Sequence, residues 1–232
     1  MKKVILIFTA IVCVPCMNKS FAQKDKKAFQ GTITYDITYT GDNINPALKA
    51  QLPSLGTVTI KDCKSKTEQA VGGMTQSSIS DGTSKSEIIL IDLMGTKYAL
   101  KLSAQEIADE MAKAPVSTVN ITTGTKVIAG YTCKQAILTS KDEDGNITTD
   151  TIYFSEEIGC KDINFSDPNF KDIPGTVLEY SQFSPQIGAT VTYKVKEIKK
   201  SKISDNVFLI PSDFKEVTKE ELKKAFGGDE DE

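Results

Sequence analysis

Short segments in which apolar and polar residues alternate recur through most of this chain, and the clearest one covers residues 31–40. Ile33, Tyr35, Ile37 and Tyr39 fall on one face of this segment, and four threonines and an aspartate share the other. A period of two is typical of a strand with one buried face in an antiparallel sheet. Turn residues separate these segments, without the strand–helix repeat of parallel sheets. We therefore predict a mainly β (α+β) fold: a curled antiparallel sheet or open half-barrel of about ten strands.

Two to three short helices are predicted to pack on one side of this sheet. The main helix covers residues 103–113, where Ser103 and Glu106 have the spacing of a capping box. Ile107 and Met111 lie on its apolar stripe. The run from Ile88 to Ile91 does not alternate, so that strand is predicted to be covered on both faces, with this helix as one cover. Shorter helices are predicted after Asn45 and after Thr218.

The segment from Val127 to Leu138 contains a glycine, Gly130, within an otherwise strand-like pattern. A glycine at such a place predicts a kink that lets the strand bend where the sheet curls. The polar residues 142–146 then predict a tight hairpin turn, after which the chain returns as a strand.

The N-terminus has the composition of a secretory signal peptide, with a basic start, an apolar run and Ala22 at a small-residue cleavage site. The predicted organisation is a signal peptide (1–22), a disordered arm (23–28), a single β-rich domain (29–226) and an acidic tail (227–232). The apolar run is shorter than the about 20 residues that a membrane span needs. We therefore expect an exported protein, in the periplasm or at the cell surface, without a transmembrane segment in the mature chain.

Charge and residue types argue against several functions. All 28 cationic side chains are lysine, and removing Lys2, Lys3 and Lys19 leaves 28 − 3 = 25 against 31 acidic residues, a net charge of −6. No basic face is apparent, so a nucleic-acid partner is not expected. The chain has no histidine, which removes the commonest general base and metal ligand. No cofactor or metal is predicted, and an enzyme would need a pocket where two carboxylates or a buried lysine converge.

The predicted mature chain keeps three cysteines, Cys63, Cys133 and Cys160. In an exported protein, one disulfide with one free thiol is a possible arrangement. The predicted hairpin near residue 144 favours a pairing of Cys133 with Cys160, although Cys133 then faces a position several residues short of Cys160. The alternative is that all three are buried small apolar residues.

A family resemblance is centred on the segment from Gly130 to Ala136. With the later runs Ile173-Pro174-Gly175 and Phe208 to Pro211, and with the opening Gly31 to Tyr35, it resembles secreted Bacteroidota proteins of unknown function, the GLPGLI-like and related families. These families are more distantly similar to the LolA/LolB lipoprotein-carrier fold. That resemblance implies an open half-barrel whose concave face holds acyl chains beneath helices. The carrier also uses an arginine near its helical lid, and this chain has no arginine.

Two functions follow as hypotheses. The first is an exported, non-enzymatic protein that binds a lipid or other apolar molecule on the concave face of its sheet. The second is a structural or protein-interaction module of the cell envelope, with a filled core and no small ligand. For the first hypothesis the predicted cavity lining is Ile33, Tyr35, Ile37, Val58, Ile60, Tyr193 and Val195 from the sheet, with Ile107 and Met111 from the helical lid.

Overall fold

A computed structural model describes residues 28–41, 44–71, 74–115, 117–141 and 147–226. The predicted signal peptide, nearly all of the predicted arm, the hairpin turn at 142–146 and the acidic tail lie outside these residues. The strands are β1 Gln30–Thr40, β2 Leu55–Lys61, β3 Lys64–Val71, β4 Met74–Asp81, β5 Ser86–Leu93, β6 Thr96–Leu102, β7 Ser117–Ile128, β8 Tyr131–Lys141, β9 Ile147–Ser155, β10 Thr176–Ser184, β11 Ala189–Lys200 and β12 Lys215–Val217. The helices are α1 Pro46–Lys49, α2 Ala104–Met111 and α3 Lys219–Ala225, with a 3-10 helix at Asp205–Phe208.

The strands form one 12-stranded open sheet in the order β12-β6-β5-β4-β3-β2-β1-β11-β10-β9-β8-β7. Every pairing is antiparallel except that of β12 with β6, which is parallel. The predicted fold class is therefore confirmed: an open, mainly antiparallel sheet with a few short helices. Most strands are connected to their sequence neighbours by short turns. Strand β1 joins the N-terminal and C-terminal halves of the sheet, because it pairs with β2 on one side and with β11 on the other.

The period-two pattern of β1 corresponds to its burial. Ile33, Tyr35 and Ile37 are each at most 7% exposed, whereas Thr34 and Asp36 between them are partly accessible. We call the face that carries these three residues the inner face. Ile33 and Ile60 lie in its main core with Leu178. The inner face of the central strands is thus where most of the large side chains of this half of the sheet are buried.

Strand β5 is covered on both faces, as its run of apolar residues predicts. On the outer face, Ile88 and Leu90 pack with Phe208 from the segment that follows β11. On the inner face, Ile89 lines a groove with Leu222 of α3, and α2 contacts the same strand. The predicted cover, α2, therefore shares that role with α3, while the C-terminal segment covers the other side.

Gly130 does not kink a strand, and that prediction is wrong. Strands β7 and β8 pair from Ile128 and Tyr131 outward, so Ala129 and Gly130 form a two-residue hairpin turn. Both residues have positive φ, +48° and +85°, which is the requirement of a type I′ turn. Glycine serves this turn because it adopts positive φ without strain.

Substitution of Gly130 by alanine should destabilise the protein only modestly. No heavy atom lies within 4 Å of the position that a Cβ would take, so the cost is confined to the backbone. A single non-glycine residue at positive φ costs about 1–2 kcal/mol. Urea denaturation followed by circular dichroism would measure the loss. A variant that fails to fold would show that this turn tolerates no side chain, contrary to the open surroundings.

Candidate functional site

The longest connection in the sheet, residues 156–175 between β9 and β10, lies over the inner face, and we call it the cover loop. It contains no helix or strand. Loops longer than about 15 residues without secondary structure are uncommon in compact domains and are often functional. Its side chains Ile158, Ile163, Phe170 and Ile173 are nevertheless buried, at most 8% exposed. The loop therefore packs as part of the core and encloses the space beneath it.

A disulfide between Cys63 and Cys160 fixes the cover loop to the turn between β2 and β3. The predicted pairing of Cys133 with Cys160 is wrong, because Cys133 is a free and fully buried thiol in β8. The hairpin register explains this: Lys134 pairs with Phe154, so Cys133 lies opposite the end of β9 and the chain has left the sheet before it reaches Cys160.

Hydrogen bonds hold the cover loop in its own shape. The Asn164 side-chain amide donates to the carbonyl oxygens of Ile173 (3.0 Å) and Gly175 (2.8 Å), which ties the middle of the loop to its end. The Asp167 carboxylate accepts from the backbone N–H groups of Asn169 (2.8 Å) and Phe170 (3.1 Å). An Asp that binds the backbone two residues ahead fixes a tight turn. These bonds preorganise the residues that face the sheet.

A cavity of about 280 Å³ lies between the cover loop and the inner face. Its floor changes from apolar to polar across the sheet. Residues paired in register show this gradient most directly: Ile60 of β2 lies opposite Ser65 of β3, Ser65 opposite Ser80 of β4, and Ser80 opposite Glu87 of β5. All four line the cavity. The cavity is thus amphipathic, with an apolar end near β1 and β2 and a polar end at β4 and β5.

An aromatic wall borders the cavity on the side of β10 and β11. The rings of Tyr180 and Tyr193 stack with centroids 4.7 Å apart, and Phe170 of the cover loop meets Tyr180 edge to face at 4.8 Å. Both arrangements are the favoured geometries of aromatic pairs. Tyr35 completes the wall, and its hydroxyl donates to the carbonyl oxygen of Val177 at 2.7 Å. Burial raises the pKa of Tyr35 far above its ordinary value, so this hydroxyl stays neutral.

Two carboxylates, Glu87 and Asp167, occupy the polar end of the cavity. The Ser78 hydroxyl donates a hydrogen bond to Glu87. The pKa of Asp167 is raised, chiefly because burial penalises its charged form; its backbone hydrogen bonds oppose this shift and the negative charge of Glu87 adds to it. Neither carboxylate forms an ion pair with a lysine in the part of the chain that the structure describes. The site therefore concentrates negative charge next to aromatic rings.

The structure divides the predicted lining residues of the sheet into two groups. Tyr35, Val58, Ile60 and Tyr193 line the cavity. The other residues from the sheet are buried in its packing and do not reach the cavity: Ile33, Ile37 and Val195.

The helical lid is not where it was predicted. Ile107 and Met111 of α2 line a separate surface depression with Phe165 and Lys171 of the cover loop. The helix therefore contacts the loop elsewhere, and the cover loop itself closes the cavity. Sequence reasoning missed Glu87, Asp167 and the polar lining of β3. The one available signal was a long connection that contains isolated large apolar residues such as Ile163 and Phe170.

Within the described ranges, no three His, Cys, Asp or Glu side chains come together in a way that could hold a metal ion. The helices of the same residues are all too short or too polar to cross a membrane.

No protein-family model and no curated protein matches this chain. Among solved structures, MucB shows a TM-score of 0.30 and 9% identity, with 81% of this chain covered; the chain spans 58% of MucB. A putative outer membrane lipoprotein-sorting protein domain from Vibrio parahaemolyticus shows a TM-score of 0.22 and 9% identity, with 78% of this chain and 89% of that chain covered. A DUF1329 family protein from Desulfovibrio piger shows a TM-score of 0.20 and 11% identity, with 80% of this chain and 91% of that chain covered. TM-scores this low assign neither a family nor a function, and the resemblance to GLPGLI-like proteins stays a prediction.

Proposed function

We propose that this chain is an exported, non-enzymatic binding protein that holds one small amphipathic molecule between the cover loop and the sheet. The observation that carries the proposal is the cavity itself, with its apolar floor at Val58 and Ile60 and its aromatic wall. Ligand sites are typically concave, mostly apolar and supplied with a few placed polar groups. This cavity has each of these properties.

The size of the cavity limits the kind of ligand that it could hold. A volume of about 280 Å³ corresponds to about nine water molecules at the about 30 Å³ that each takes in the liquid. The same volume is at the lower end of small-molecule sites, about 300–1,000 Å³. It suits a small ligand or a stretch of one acyl chain better than a whole lipid.

Export is supported by the disulfide as well as by the predicted signal peptide. Cys63 and Cys160 are bonded, and such bonds persist mainly in oxidising compartments such as the periplasm or the cell exterior. A binding protein with a disulfide-fixed cover would keep its cavity shaped in that environment.

Filling the cavity should abolish ligand retention. Thr67 faces the cavity from the middle of β3, so phenylalanine at this position would place a ring in the space. Protein purified gently from its own cell envelope should show one added small mass in native mass spectrometry. The Thr67→Phe variant should show the bare chain only.

The matched control is Thr151→Phe, an equal change at an exposed position of β9. It should keep the added mass, and thermal unfolding of all three proteins would verify that each is folded. Wild-type protein that carries no ligand under gentle conditions would contradict the proposal, as would equal retention by Thr67→Phe.

A hydrolase is the second candidate, because Glu87 and Asp167 meet the requirement of two carboxylates in one pocket. Burial also raises the pKa of Asp167, as acid catalysis often needs. However, Asp167 is engaged by two backbone N–H groups that shape the cover loop, and Glu87 is engaged by Ser78. Groups already bonded to fixed donors fit recognition of a positive charge better than proton transfer.

A further inference from the structure

We infer that the polar end of the cavity recognises a positively charged nitrogen, so that the ligand is a small organic amine with an apolar body. The inference rests on the proposed binding function and specifies the chemical class of the ligand. Glu87 and Asp167 would receive the ammonium group, and the rings of Tyr180 and Tyr193 would contact the rest of the molecule.

The first argument is the uncompensated charge of the cavity. The chain has 28 lysines, yet in the described ranges none lines this cavity. Other acidic side chains have lysine partners, for example Glu179 with Lys126 at 2.6 Å and Asp213 with Lys97 at 2.8 Å. Asp167 loses hydration through burial and is repelled by the negative charge of Glu87, and no cation lines the cavity to offset these costs. A bound ammonium group would relieve both costs.

The second argument is the aromatic wall beside these carboxylates. Positive nitrogen is attracted to the faces of aromatic rings, and sites for quaternary ammonium ligands are built from such rings. Tyr180 is partly buried and lines the cavity, and its hydroxyl has no hydrogen-bond partner among the residues that the structure describes. Burial raises the pKa of Tyr180 well above its ordinary value, and the charge of Asp167 adds to the shift. This hydroxyl is therefore a neutral, unoccupied donor next to the carboxylates.

A metal ion fits the same charges less well. Calcium takes six to eight oxygen ligands, and magnesium demands near-ideal octahedral geometry. The described residues hold no cluster of three or more metal-binding side chains, here or elsewhere. The apolar floor at Val58 and Ile60 would also be left without a role by a bare ion. An organic cation uses both ends of the cavity.

Isothermal titration calorimetry with three matched probes tests the inference on the full mature protein at pH 7. The probes are 2-phenylethylamine, the neutral 2-phenylethanol and the anionic 3-phenylpropanoate. The amine should bind about tenfold or more tightly than the alcohol, a difference of about 1.4 kcal/mol. The anionic 3-phenylpropanoate should not bind detectably, because Glu87 and Asp167 would repel it.

Glu87→Gln keeps the size and hydrogen-bonding capacity of the side chain but removes its charge. It should lower amine affinity to about that of the alcohol and leave alcohol binding unchanged. Asp167→Asn is a second variant with the same expected direction. Glu216→Gln is the control, because Glu216 is paired with Lys101 at 2.8 Å on β12, outside the cavity; it should change nothing.

The outcomes separate this inference from the proposed function. If the alcohol binds as tightly as the amine and Glu87→Gln has no effect, the amine preference is overturned while a binding role stands. If neither amine nor alcohol binds, the inference is overturned, and the binding role then depends on whether native protein carries a different mass. Tight binding of 3-phenylpropanoate would also overturn the inference.

Discussion

Replacing both Cys63 and Cys160 with serine is expected to lower the free energy of unfolding by about 2–4 kcal/mol and to release the cover loop. The two cysteines are 97 residues apart in sequence, and a cross-link over a chain segment of that length strongly restricts the unfolded state. In the folded state, the bond holds the loop against the turn between β2 and β3. Urea denaturation would measure the loss of stability.

Trypsin would report the release of the loop separately from global stability. Lys161 and Lys171 are exposed in the cover loop but are held in a packed segment. Both sites should become fast cleavage sites in the double serine variant under conditions where the sheet stays folded. Cys133→Ala is the control, because it removes the free thiol and leaves the disulfide. Equal protease resistance in the double serine and wild-type proteins would show that packing alone holds the loop.

Much of the sheet could be predicted because its strands are half buried. The alternation in β1 corresponds residue by residue to its buried and accessible positions. The helix starts were also predictable, since Ser103 with Glu106 and Thr218 with Glu221 form complete capping boxes. Both signals depend on local chemistry, which a sequence displays directly.

Strand β3 shows no strand signal in the sequence, because it has almost no apolar residues. From Lys64 to Gln69 every side chain is polar or charged, so no period-two hydrophobic pattern exists to find. It is a strand because β2 and β4 pair with it on both sides. Ser65 and Thr67 then face the cavity. The polar side chains that give β3 no strand signal in the sequence are therefore also the ones that make the cavity polar at one end.

The turn at Gly130 was misjudged, and the cover loop could not be predicted, for a different reason. One glycine inside an apolar pattern fits a bulge, a kink or a turn, and only the pairing of Ile128 with Tyr131 distinguishes them. The cover loop has no periodicity, and its position depends on contacts with distant strands and on a disulfide to Cys63. The carboxylates of the site come together only through this long-range packing, so Glu87 and Asp167 could not be paired from sequence.

Gly175→Ala is expected to be among the most destabilising single substitutions outside the hydrophobic core. Gly175 has φ +135°, a conformation that residues with a side chain rarely adopt. A Cβ there would lie 2.3 Å from the carbonyl oxygen of Ser155, which is backbone and cannot move aside easily. Backbone strain of about 1–3 kcal/mol and overpacking of a similar size together predict a loss of about 2–6 kcal/mol. Urea denaturation would measure it.

The position of Gly175 links this loss of stability to the cavity. It is the last residue of the cover loop before β10, and its carbonyl oxygen accepts the hydrogen bond from Asn164. Displacing it should shift Val177 and Asp167 and weaken binding of any cavity ligand in the variant that still folds. Gly130→Ala is the matched control, because it also places alanine at positive φ but meets open space. If the two variants lose equal stability, backbone conformation alone sets the cost, and the close approach of the cover loop to Ser155 contributes nothing.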